Sequence, residues 1–194
     1  MNWIQQRTSQ IIVLFLILTI GVMLGSTGRA LHPDWSIWEN LTFQQGMGII
    51  PDTFMNCIFT PVFWLALMAA LGLSAAGAAG TPLILIMRGA ALGAILEQLY
   101  ANESFIGFLK IILFVMPYAF STSVVMLFGA REAFRFSIQI IGLLCDKTQD
   151  DGVSVRLYML RFFILFIFMI ILSFVRMLIL RYGYSAFISI FLKG

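Results

Sequence analysis

Pro82-Leu-Ile-Leu-Ile-Met-Arg-Gly-Ala-Ala-Leu-Gly-Ala-Ile-Leu96 is apolar except for one cation, Arg88, near its middle. Extended to Tyr100, the stretch reaches the roughly 20 residues that carry a helix across about 30 Å of hydrocarbon. An arginine at that depth costs roughly 3 to more than 10 kcal/mol, depending on how far it snorkels. Arg88 must therefore face a neighbouring helix or a polar cavity, not lipid. That makes it the first candidate for a functional or assembly site.

The rest of the chain agrees with this reading. Of 194 residues, 61% are hydrophobic and 11% are charged, whereas a soluble domain carries about 25% charged residues. One soluble core of this size cannot hide so much apolar surface, so the bilayer is the expected solvent. The net charge of +3 is modest. No Lys/Arg cluster has the density of a nucleic-acid surface, so no nucleic-acid partner is expected. Cys57 and Cys145 have neither CxxC spacing nor a shared outer loop and read as free thiols.

Five segments are long and apolar enough to span: 11–26, 54–73, 82–100, 105–128 and 162–180. The expected fold is all-α, a single membrane-embedded bundle over 1–194 with an amphipathic inner helix between the fourth and fifth spans. Pro61 and Pro117 lie inside spans and read as kinks, which neighbouring helices can satisfy. Thr27 to Asp52 forms an outer loop with His32, Trp35 and Trp38, of the aromatic kind that lies at headgroup level. Ala101–Ser104 reads as a tight turn that makes the third and fourth spans antiparallel neighbours.

Lys and Arg near the spans set the orientation. With the N-terminus inside, inner segments hold Arg7, Arg131, Arg135, Lys147, Arg156 and Arg161, and outer ones hold Arg29, Arg181 and Lys193. A cytoplasmic N-terminus and an outside C-terminus are expected, although Arg176 and Arg181 near the outer end of the fifth span pull the other way.

The inner charged region, 130–161, carries a pattern of its own. Arg131, Arg135, Gln139, Gly142 and Asp146 recur at helical spacing as one polar stripe, with Phe134, Ile138, Ile141 and Leu144 covering other faces. Such a helix either lies on the inner leaflet or extends the fourth span. Arg131 and Arg135 are candidates for partner contact.

Small residues make the second strong pattern. Gly21-Val-Met-Leu-Gly25 and Gly89-Ala-Ala-Leu-Gly93 are both GxxxG, and Ala76/Gly80 extends the theme in the short 74–81 connection. Apolar burial drives association weakly in lipid, and small faces let backbones approach closely. Helix packing within the chain is expected, with contact between copies as the alternative. Alanine at Gly89 or Gly93 should be tolerated better than leucine. Glu97 and Lys110, on either side of the 101–104 turn, reach similar depth and can pair. Arg88 and Glu97 are nine apart and so lie on opposite faces. Candidate acceptors for Arg88 are carbonyls freed by Pro117, or Tyr118, Ser121 and Thr122.

Catalytic patterns are absent from the sequence. A single histidine excludes HExxH chemistry and His-rich metal sites, and there is no GxSxG elbow or P-loop. No enzyme activity, cofactor or metal is expected.

Leu71-Gly-Leu-Ser-Ala-Ala-Gly-Ala-Ala-Gly-Thr-Pro-Leu-Ile-Leu-Ile-Met-Arg-Gly-Ala-Ala-Leu-Gly93, followed by Phe114-Val-Met-Pro-Tyr118, resembles the stage II sporulation protein M family of polytopic membrane proteins. The similarity covers roughly residues 11–128. By position, Gly77, Gly80, Pro82, Gly89, Gly93 and Pro117 match the family pattern. The resemblance implies a non-enzymatic scaffold that anchors cell-wall-active or other membrane proteins, as in sporulation engulfment. A small permease or channel subunit, with Arg88, Glu97 and Lys110 lining a polar path through a homo-oligomer, is the alternative. The direction in which Arg88 points separates the two.

Overall fold

The computed structural model describes residues 3–32, 37, 54–102, 112, 113, 115–144 and 154–179. Among these there are five long helices and no strand: α1 (Trp3–Leu31), α2 (Phe54–Gly72), α3 (Gly77–Asn102), α4 (Met116–Leu144) and α5 (Val155–Leu178). Three stretches, Ser9–Leu31 in α1, Gly77–Glu97 in α3 and Val155–Leu178 in α5, are long and apolar enough to cross a membrane, while Ile58–Gly72 in α2 is apolar but shorter.

Neighbouring side chains give the directions. Leu18 and Val22 of α1 meet Gly89 and Gly93 of α3 in the same order, so α1 and α3 run parallel. Leu65 and Met68 lie at Gly129, Gly72 at Ala133, and Ser74 at Ser137, so α2 and α4 run parallel as well. Phe136 faces Tyr158, Gly129 faces Phe162 and Tyr118 faces Arg176, so α4 and α5 are antiparallel. The short α2–α3 connection makes those two antiparallel. The five helices therefore alternate in direction along the chain. α4 occupies the middle, touching the other four, and α1 leans chiefly on α3.

The end of α2 shows why the connection is so compact. A helix leaves its last four carbonyls without intrahelical donors, and here Ala69, Ala70 and Leu71 each find one. Tyr158 Oη donates to Ala69 O at 2.7 Å. Leu73 N–H takes Ala70 O, and Ser74 takes Leu71 O through both its N–H and its hydroxyl. Ser137 of α4 donates to Ser74 O at 2.8 Å and Ala75 O at 3.2 Å. The α2–α3 turn is thus stitched to α4 and α5. Tyr158 also stacks on Phe136, ring centroids 4.4 Å apart, and touches Phe162 at 4.8 Å.

Several sequence-based boundaries need correcting. The third span starts at Gly77, not Pro82: Gly77-Ala-Ala-Gly80 is the first turn of α3, and Pro82 lies inside the helix. Its missing N–H forfeits one bond near the helix start, where disruption is small. Pro117 sits exposed in the first turn of α4, where its lost donor has no intrahelical partner to miss. It starts a helix and kinks nothing. The charged 130–144 stretch is not a separate amphipathic helix, because α4 runs without a break from Met116 to Leu144. The polar stripe marks where that helix leaves the apolar zone. α5 begins at Val155, seven residues before the expected start, because Ser154 caps it by accepting from Leu157 N–H at 3.4 Å. At the far end of the first span, α1 continues to Leu31, so the start of the expected outer loop is helical. Ala101 and Asn102 of the expected turn still belong to α3, while Trp35, Trp38, Cys145 and residues 103 and 104 lie outside the described residues.

Candidate functional site

Arg88 is fully buried, with 0% exposure, about 11 residues into α3 and hence roughly 17 Å from its start. Its Nε donates to Ser123 Oγ at 3.4 Å, and a terminal nitrogen donates to Thr122 Oγ1. Both hydroxyls pass their own protons down α4. Thr122 donates to Tyr118 O at 2.9 Å and Ala119 O at 3.1 Å, and Ser123 donates to Ala119 O at 2.7 Å. Each hydroxyl oxygen thereby keeps lone pairs for the guanidinium, and polarisation along the chain strengthens the contact.

A second buried cation lies one turn further along. Arg176 of α5, 4% exposed, sets its guanidinium carbon 4.3 Å from the centroid of the Tyr118 ring. The ring's negative face stabilises the charge, and the contact gains strength where water is scarce. The Tyr118 hydroxyl and the Ser173 hydroxyl, both buried, have no hydrogen-bond partner among the described residues. Nearer the α2–α3 turn the interior is apolar, built from Leu65, Met68, Leu85, Met126, Phe162 and Met169. The two cations therefore sit beside a large apolar cluster, with a smaller one of Ala91, Ile95, Val115 and Ala119 at their own end of the bundle.

Of the sequence-predicted residues, Arg88 lies at the centre of this cluster and Thr122 is one of its acceptors. Tyr118 contributes its carbonyl to Thr122 and its ring to Arg176. Ser121 is half-buried, and Pro117 stands exposed in the first turn of α4. Glu97 is half-buried towards the end of α3, and Lys110 lies outside the described residues. Arg131 and Arg135 are half-buried on α4, far down the helix from Arg88. Ser123 and Arg176 were missed. Arg176 carried the same signal as Arg88, a lone cation in an apolar run, but its place near the end of that run assigned it to a loop count.

The two GxxxG segments are brought together. A Cβ on Gly21 would sit 2.5 Å from Ile86 O, one on Gly25 2.6 Å from Ala90 Cα, one on Gly89 2.9 Å from Gly21 Cα, and one on Gly93 2.7 Å from Ser26 N. The contacts are backbone on backbone. A methyl group alone therefore already collides, before any larger side chain is considered. Gly77 belongs to the turn, where its Cβ would lie 2.8 Å from the Leu71 carbonyl carbon, whereas Gly80 faces only the Leu71 side chain.

On α4 near the α2–α3 turn, Glu132 pairs with Arg161 of α5. Among the described residues, no group of three or more His, Cys, Asp or Glu could hold a metal ion. No family model, curated protein or solved structure matches the chain.

Proposed function

We propose that this chain is a non-enzymatic integral membrane scaffold, an anchor subunit that holds the proteins of a larger complex in the cell membrane. The observation that supports it is the placement of Arg88. Its guanidinium is enclosed between α3 and α4 and engages hydroxyls of α4, so an intramembrane charge joins two helices in place of lining a water-filled path. In this reading all five helices cross the bilayer, as their alternating directions support. The end carrying Arg131, Arg135, Arg156 and Arg161 faces the cytoplasm, in line with the positive-inside rule. The resemblance to the stage II sporulation protein M family adds a partner class, proteins that remodel the cell wall.

A permease or channel subunit is the second reading. It draws on the unpartnered Tyr118 and Ser173 hydroxyls beside Arg176, which give the core polar groups beyond those that join helices. Purification of the full chain in mild detergent, with crosslinking and mass spectrometry, tests the scaffold. A protein partner at fixed stoichiometry is expected, together with no solute or ion flux in proteoliposomes. Flux that disappears in Arg88→Leu would replace the scaffold with the permease.

A further inference from the structure

A groove of about 380 Å³ runs between α1, α3 and α4, walled by residues such as Val22, Ile95, Phe120, Val124 and Leu127. Two hydroxyls line it, Thr19 and Ser123, and both are turned to their own helices, donating to Phe15 O at 2.9 Å and Ala119 O at 2.7 Å. The wall is apolar for that reason. Along α4 the groove covers residues 115–127, a rise of about 18 Å. One leaflet is about 15 Å of hydrocarbon deep, half of roughly 30 Å.

The same face of α4 then turns basic. Phe120, Val124, Leu127, Arg131 and Arg135 follow one another at steps of four, three, four and four, which places them on one stripe. Arg131 begins one turn beyond the groove, level with the α2–α3 turn where Gly72 meets Ala133. Its Nε is buried and has no hydrogen-bond partner. Among the described residues, neither Arg131 nor Arg135 enters a salt bridge, since the nearby carboxylate of Glu132 is taken by Arg161. A two-arginine pair at headgroup depth above an apolar slot of leaflet length is complementary to one molecule with both features.

We infer that this stripe binds an anionic glycerophospholipid, its phosphate held by Arg131 and Arg135 and one acyl chain laid in the groove. Guanidinium forks suit phosphate oxygens, and each added juxtamembrane arginine favours an anionic headgroup. Such a lipid wedges between α1 and α4, two helices that touch little directly, and so completes the bundle on that side.

Native mass spectrometry of the full chain in mild detergent tests this, with phosphatidylglycerol and phosphatidylcholine of identical chains as probes. Phosphatidylglycerol is expected to be retained in preference. Arg131→Gln with Arg135→Gln should weaken it by about 25-fold, about fivefold for each charge removed. Val124→Trp, which fills the groove, should lower retention of both lipids, and Val124→Phe serves if the larger residue misfolds. Arg156→Gln, exposed on α5, should change nothing. Equal retention of the two lipids by the wild type, or an Arg156→Gln loss as large as that of the pair, overturns the assignment. So does loss of a co-purified acidic protein in the double variant with phosphatidylglycerol binding intact.

Discussion

Replacing Gly25 or Gly93 with alanine adds a single methyl group where α1 and α3 share backbone contact. The Gly25 Cβ would lie 2.6 Å from Ala90 Cα and closer still to Ala90 O, and ordinary contact begins at 3.4 Å, so the helices must part by at least 0.8 Å there. A radial gap of about 0.5–1 Å forfeits about a quarter to a half of each dispersion well along the seam. No side chain can turn aside, because the obstructing atoms are backbone. Overpacking of this kind typically costs about 1–3 kcal/mol, and that is the loss expected for each variant. The double variant should lose less than the sum of the two. Once the helices have separated for one methyl, the second fits at little further expense, and sites in contact are not additive. Gly142→Ala is the control: nothing lies within 4 Å of its Cβ, so it should leave stability unchanged or raise it by up to about 1 kcal/mol through helix propensity. Reversible unfolding in mixed micelles, followed by circular dichroism, gives the free energies of the four variants. Gly25→Ala and Gly93→Ala as stable as Gly142→Ala would refute the backbone-contact argument.

Tyr158→Phe keeps the stacking on Phe136 but removes the donor to Ala69 O, so it should lose about 1–2 kcal/mol in the same assay; an unchanged free energy would mean that the carbonyl finds another donor. Ser137→Ala should lose a similar amount by releasing Ser74 O and Ala75 O, and limited proteolysis between α2 and α3 should rise in step. Glu132→Gln breaks the pair with Arg161, whose side chain is 45% exposed, so the change should stay within about 1 kcal/mol and shrink in high salt.

The parts of the architecture that composition decides were legible. Apolar runs located the helices, and glycine spacing located the α1–α3 seam, because close approach in lipid requires small residues on both partners. The argument from Arg88 to hydroxyl acceptors near Thr122 also held, since a cation at depth has few chemical options. What escaped the sequence were boundaries set by tertiary contact. The stripe through Arg131 and Arg135 left open a separate inner helix or an extension of the fourth span, which periodicity cannot tell apart, and α4 runs on through it. Pro117 was read as a kink because its position within α4 depends on where the helix begins. Tyr158 carried no local signal. Its role depends on Ala69 O, a carbonyl 89 residues away that is left open only because α2 ends there.

The cluster around α4 makes an asymmetric demand on its members, and one pair of substitutions exposes it. In Arg88→Leu the cation leaves, and its two hydroxyl acceptors on α4 are not orphaned: Thr122 and Ser123 still donate to Tyr118 O and Ala119 O. Exchanging a buried ionic group for an apolar one of similar reach is often neutral or stabilising. Thr122→Val does the opposite. The charge stays in place and loses one acceptor, and hydrogen bonds to charged groups are worth about 1.5–3 kcal/mol. Thr122→Val should therefore destabilise more than Arg88→Leu, although it is the smaller chemical change. Adding Arg88→Leu to Thr122→Val should restore much of the lost stability, because the valine then faces an apolar side chain. Arg88→Glu should not assemble, as a carboxylate cannot donate to two hydroxyls that already donate elsewhere. If Arg88→Leu proved the more damaging of the two and the double variant showed no recovery, the guanidinium would be anchored by something other than α4's hydroxyls. The coupling of α3 to α4 through Arg88 would then have to be abandoned.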